Sequence, residues 1–183
     1  MIEINFDEKS AAAAQSAMRS APKQTVKAAI GAINRTATKT AALISKETRV
    51  RYIVKAADVK SSLKKKKATK ASMTASITST GSPLPLASFK VTHPRRGPMK
   101  AKVLKKGALK PVQGLYQNEK ARYKGVLMRK TGARYPVKSP FGPSIPIMIG
   151  NEEVLDRLTP QISAFLNQRF LHELDYQLGR LTK

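Results

Sequence analysis

The stretch VKAAIGAINRTATKTAALISKET, Val26 to Thr48, decides how the first half of this chain is read. Val26, Ile30, Ile33, Ala37, Ala41, Ile44 and Thr48 recur in it at steps of three or four residues. At about 3.6 residues per turn, an α-helix collects such positions on one side. Lys27, Asn34, Lys39, Lys46 and Arg49 fall mostly off that stripe. The pattern predicts one long amphipathic helix of about thirty residues, ~45 Å at the usual rise. Pro22 suits its first turn, where a missing N–H leaves no hydrogen bond unmade. Upstream, the alanine-rich run from Ser10 predicts a separate helix, and the alternation in IEINF (residues 2–6) predicts a short strand.

Working outward toward the C-terminus, KAADVKSSL predicts a short helix, and four lysines, Lys64 to Lys67, follow it. The period then changes to two. Met73, Ala75 and Ile77 alternate with Ser72, Thr74, Ser76 and Thr78, the pattern of a strand. TGSPLPL reads as a loop, because Pro83 and Pro85 cannot donate to a ladder. ASFKV, MKAKVL, PVQGLYQ and YKGVLMRK are further strand candidates, and THPRRGPMK is an expected exposed loop. ARYPVKSPFGPSIPIMIG looks too irregular for a regular element and too apolar to be fully solvated. A final helix is expected from Asn151, an N-cap residue type, with Glu152, Glu153 and Asp156 at the positive end of the helix dipole. Thr159–Pro160 resembles a second cap, so a break or restart is expected there. Leu155, Leu158, Ile162, Phe165 and Leu166 share one face of this helix, and Phe170, Leu174, Leu178 and Leu181 lie to its side. A stripe that changes face implies two packing partners, here the chain's own sheet and a neighbouring subunit.

At 183 residues with 41% apolar content, the chain suits a single domain with a real core. The expected division is a helical arm over 10–63, a strand-rich body with basic loops over 71–138, and a C-terminal helix over 151–181. No cysteine is present, which excludes disulfides and thiolate metal sites. MIEINFDEKS lacks the charged-then-apolar pattern of a signal peptide, and no apolar run nears the ~20 residues of a membrane span.

The net charge of +24 points to a polyanionic partner. Residues 9–118 hold twenty-four Lys and Arg against two acids, Glu47 and Asp58, whereas residues 151–183 hold four bases and five acids. Lys64, Lys65, Lys66 and Lys67 read either as a solvated linker or as a phosphate contact, and the surrounding charge favours phosphate. Arg95 and Arg96, with Lys100, Lys102, Lys105 and Lys106, form a second cluster; Arg129, Lys130 and Arg134, with Lys138, form a third around the turn at Thr131–Gly132. Lysines lack the planar fork that reads bases, so contact with nucleic acid would be independent of sequence. Tyr116, Tyr123 and Tyr135 are too few for a stacking platform. His93 and His172 stand apart, the acids at the start of the last helix suit its dipole, and the glycines form no nucleotide-binding loop, so neither catalysis nor a metal or other cofactor is expected.

In order along the chain, AAIGAINRTATKTAALISKETRVRY (28–52), KAADVKSSLKK, GSPLPLASFKV and GVLMRKTGARYPVKSPFGPSIPIMI resemble the bacteriophage minor tail protein Z family, also called tail completion proteins. The region from Leu104 to Gln117 matches loosely. The resemblance implies an α+β fold in which a long N-terminal amphipathic helix and a C-terminal helix pack on a mainly antiparallel sheet, as in head-tail joining and tail completion proteins. It implies a virion protein of the tail and neck, assembled in the host cytoplasm as a homo-oligomeric ring, often a hexamer. Its partners would be the tail terminator or tube, the head-tail connector, and double-stranded DNA passing through the lumen, with no membrane. A closed ring needs two different patches on each chain, and Ile30, Ile33 and Ile44 with Phe170, Leu174 and Leu178 are the candidates. The competing readings are a cytoplasmic ribosome- or nucleoid-associated protein and, third, a nuclease.

Overall fold

The computed structural model describes residues 4–118 and 125–180. Its helical half is built on α2 (Pro22–Arg51), 30 residues long and led by Pro22 as expected. It is packed along α5 (Glu152–Gly179), of 28 residues. Arg35 of α2 pairs with Glu173, and Arg51 with Glu153, so the two helices run antiparallel. The predicted stripe is buried only toward the end of α2, at Ile44 and Thr48; in the first half another face is buried. Thr25, Ala28, Ala29, Ala32 and Thr36 are buried, whereas Val26, Ile30, Ile33, Ala37 and Ala41 are only half-buried. Small side chains let two helix backbones approach closely, and close approach covers more of both than a ridge of isoleucines would. At Gly31 a Cβ would sit 3.4 Å from Glu173 Oε2, so the glycine leaves room for the acid.

Along α5 the buried apolar residues are Val154, Leu158, Ile162, Leu166, Phe170 and Leu174. A row at strict four-residue spacing advances about 40° per step and so winds around its helix. Its first half meets one apolar cluster, with Val59, Phe89, Met99, Ile145 and Met148. Its second half meets another, with Ala17 of α1 (Glu8–Ser20) and Ala28, Ala29 and Ala32 of α2. The stripe therefore has two packing partners, both within the chain. The helix also runs unbroken through Pro160. Thr159 Oγ1 donates to Leu155 O at 3.0 Å and Gln161 Nε2 to Arg157 O at 2.7 Å, adding bonds to carbonyls around the site where proline has none to give. Asn151 occupies the N-cap position, yet its side chain caps nothing; its backbone carbonyl accepts from Val154 and Leu155.

The other half is strand-rich, which makes the fold α+β, and among the described residues its strands form four small antiparallel sheets. After α3 (Ala56–Ser62), β1 (Leu63–Lys66) pairs with β2 (Ser76–Ser79). β4 (Lys90–Thr92), β5 (Lys100–Lys102) and β6 (Lys110–Pro111) form a second sheet. β7 (Leu115–Asn118), β8 (Gly125–Arg129) and β9 (Val137–Lys138) form a third. The expected proline loop is instead strand β3 (Pro83–Pro85), paired with β10 (Phe141–Ser144). A two-stranded pair with an irregular register needs few N–H donors, which is why it tolerates prolines. The segment judged too irregular thus supplies β9, β10 and α4 (Ile145–Ile149), with Ile145 and Met148 in the core. At the N-terminus, residues 4–6 form no strand: Ile4 and Phe6 pack on the helices, with the Phe6 and Phe170 rings 4.6 Å apart. Residues 2 and 3, Tyr123 and Leu181 lie outside the described residues.

Candidate polyanion-binding surface

Three of the four lysines, Lys64 to Lys66, lie in strand β1 and not in a linker, and Lys67 follows directly after it. In β1, Lys64 lies opposite Thr78, Lys65 opposite Ile77 and Lys66 opposite Ser76. Side chains alternate across a strand, so Lys64 and Lys66 share the outer face with Ser76 and Thr78, while Lys65 shares the side of Leu63 and Ile77. All four lysines are exposed. The run ends in a clamp: Asn34 of α2 donates Nδ2 to Ala68 O at 3.0 Å and accepts from Ala68 N at 2.8 Å. A side-chain amide that both gives and takes fixes the backbone of Ala68 as a strand neighbour would.

The sheet β4–β5–β6 carries a second basic face. Lys90 lies directly opposite Lys102, and Thr92 opposite Lys100. Val91 and Ala101, also paired, turn the other way, Ala101 into the core. Three lysines thus project from one side of a small sheet, two of them paired across strands. Like charges in directly opposed positions are destabilising unless an anion lies over them. Lys90 stood outside the sequence-based clusters, since its place depends on pairing across the loop; the alternation in KVT and KAK is the only signal for it. Arg95 and Arg96 sit in the exposed loop between β4 and β5, and Lys105 and Lys106 in the loop after β5. Arg129 closes β8, with its guanidinium 5.8 Å from the Tyr116 ring centroid. Lys130 and Arg134 follow in the β8–β9 connection, where Arg134 stands 5.8 Å from the ring centroid of Tyr135, itself 68% exposed.

Charge is partitioned between the two halves. The ion pairs among the described residues join Arg35 and Arg169 to Glu173, and Arg51 and Arg157 to Glu153. All lie on the α2–α5 seam. None of the sequence-predicted basic residues takes part in one of them. Among the described residues no group of acids, histidines or cysteines could hold a metal ion, and no helix is long and apolar enough to cross a membrane. Of the six apolar residues expected at a subunit contact, Ile44, Phe170 and Leu174 are buried in the chain's own core, and Ile30, Ile33 and Leu178 are half-buried. Apart from Tyr135, the large apolar side chains left most open are elsewhere: Ile147 at 65% and Phe141 at 61% exposure.

Taken together, a rigid helical seam bearing lysine-faced small sheets is a structural scaffold with a cationic surface. The chain belongs to the prophage minor tail protein Z family, whose model matches residues 9–183. It is thus a structural component of a phage tail. Searches among curated proteins and solved structures return no match.

Proposed function

We propose that this tail protein acts at the neck, as a tail completion ring through which DNA passes, its basic sheets lining the passage and gripping phosphates without reading bases. One observation carries the reading. Every ion pair among the described residues is spent on the helical seam, while Lys90 and Lys102 face each other across β4 and β5 and Lys64 to Lys66 stand exposed on β1. DNA of any sequence must slide past such a lining, and phosphate contact suits that task. The head-tail connector and the tail terminator or tube are the neighbours this placement requires. For closure between copies, Phe141 and Ile147 are better candidates than residues already buried in the core, with Ile30, Ile33 and Leu178 available at their edges.

Two measurements test this. Negative-stain imaging and native mass spectrometry of the chain, alone and with tail assemblies, should find a closed ring at the tail's head-proximal end; a monomer bound along the outside of the tail overturns the proposal. Duplex binding should weaken steeply with salt. Replacing Lys64 and Lys66 together by Gln should flatten the log–log slope by about one unit for each phosphate no longer neutralised, whatever the DNA sequence. A monomer preferring structured RNA would favour a ribosome- or nucleoid-associated role.

A further inference from the structure

A cleft of about 380 Å³ opens between the last turns of α2, α3 and the loop after β5. Its rim carries Lys46 and Arg49 from α2, Lys60 from α3 and Lys105 from the loop. Val50 lines it too and is 46% exposed. The loop is not free to drift. Lys105 N donates to Arg51 O and Ile53 N to Val103 O, each at 2.8 Å, with Tyr52 and Leu104 bridged between them. These bonds stitch the segment carrying Lys105 to the end of α2. None of the four cations is in an ion pair among the described residues. The nearest acid in sequence, Glu47, is buried and accepts from Gln161 of α5 at 3.3 Å.

Concave shape and an apolar lining separate this cleft from the lysine faces of the sheets. A rigid duplex can lay a phosphate across the rim but has nothing apolar to seat on Val50. An extended peptide can do both. We infer that the cleft docks an acidic segment of a neighbouring protein, carboxylates against Lys46, Arg49, Lys60 and Lys105 and one apolar side chain on Val50. The inference is independent of the DNA-lining role, which is read on the sheet faces that carry Lys64, Lys66, Lys90 and Lys102.

The test uses the full chain and two short synthetic peptides, acidic throughout except for a central leucine in one and a serine in the other. Titration calorimetry at moderate salt should find the leucine peptide bound about tenfold tighter, the order expected for burying one aliphatic side chain. Val50→Ser should abolish that preference while changing duplex affinity less than about twofold, since phosphates have no use for the valine. Lys46→Gln with Lys60→Gln should weaken the leucine peptide about tenfold, because two charge pairings disappear. Val50 is exposed, so its variant should fold, and circular dichroism checks this. Equal binding of the two peptides, or of neither, overturns the inference. So does an equal weakening by Lys64→Gln with Lys66→Gln, which would mean generic attraction. A duplex affinity that falls with Val50→Ser as much as the peptide's would make the cleft a nucleic-acid site instead.

Discussion

Glu173 has 6% of its side chain exposed, and two arginines converge on it: Arg35 Nε at 3.0 Å and Arg169 Nη2 at 2.8 Å from Oε1. Neither contact has the alignment of a hydrogen bond, so charge attraction holds the group. The Arg35 side chain is 59% exposed and water can replace the acid there; that of Arg169 is 23% exposed and depends on it more. Glu173→Ala should therefore cost about 3 kcal/mol in denaturant unfolding, because a half-buried guanidinium loses its partner. Arg35→Ala should cost less than about 1 kcal/mol. Gly142 poses a steric case. A Cβ there would lie 2.5 Å from Phe89 Cε2, and Phe89 is buried in the core with little room to retreat. Gly142→Ala should destabilise by roughly 1–3 kcal/mol, seen as a lower melting temperature at unchanged far-ultraviolet dichroism. Neither role could be read from sequence: Glu173 looked like one more charge on a near-neutral helix, and Gly142 like one more breaker in an irregular run.

Among the elements, α5 departs furthest from its sequence signals. Thr159–Pro160 has the form of a helix start, yet packing of Leu158 and Ile162 on one core holds the helix together across it. That continuity sets tertiary burial against a local cost. Pro160→Ala should restore the donor and relieve the ring's crowding of the preceding turn, raising stability by about 1–3 kcal/mol by chemical denaturation. A drop in stability would mean that the proline ring contributes more to the native helix than its missing donor costs. The clamp between α2 and the end of the lysine strand is tested differently. Asn34→Ala removes both bonds to Ala68, and tryptic cleavage between Lys64 and Lys70 should quicken about tenfold while the melting temperature moves little. It also gives the INR sequence of α2 a physical meaning: Ile33 packs on the second cluster, Asn34 holds the chain after β1, and Arg35 reaches Glu173.

For the molecule as a whole, the net charge of +24 is decisive. The α2–α5 seam uses Glu47, Glu153 and Glu173 internally, which leaves the strand-rich half self-repelling. Salt should therefore stabilise the isolated chain. Raising sodium chloride from low to about half-molar should lift the melting temperature by several degrees, because the Debye length shrinks to a few ångströms and the lysine faces cease to feel one another. Polyphosphate should achieve the same at far lower concentration by binding those faces. Insensitivity to both would mean the lysines are too far apart to interact, and would remove the main support for a polyanion lying over the sheets.

What the sequence determined by itself was everything carried by periodicity and charge. The long helix from Pro22, the short one before Lys64, the terminal helix from Asn151 and the cationic character all follow from local spacing and composition. The α+β class and the family come instead from a resemblance carried by an ordered succession of segments. Only the tertiary structure decided which face of α2 is buried, since small residues win where backbones must come close. It also decided that the winding stripe of α5 meets two cores of the same chain, and that prolines form a strand pair. Likewise it set Lys90 opposite Lys102 and drew Lys46, Arg49, Lys60 and Lys105 around Val50. Each of these is a relation between residues far apart in the chain, and local propensity carries no information about such distances.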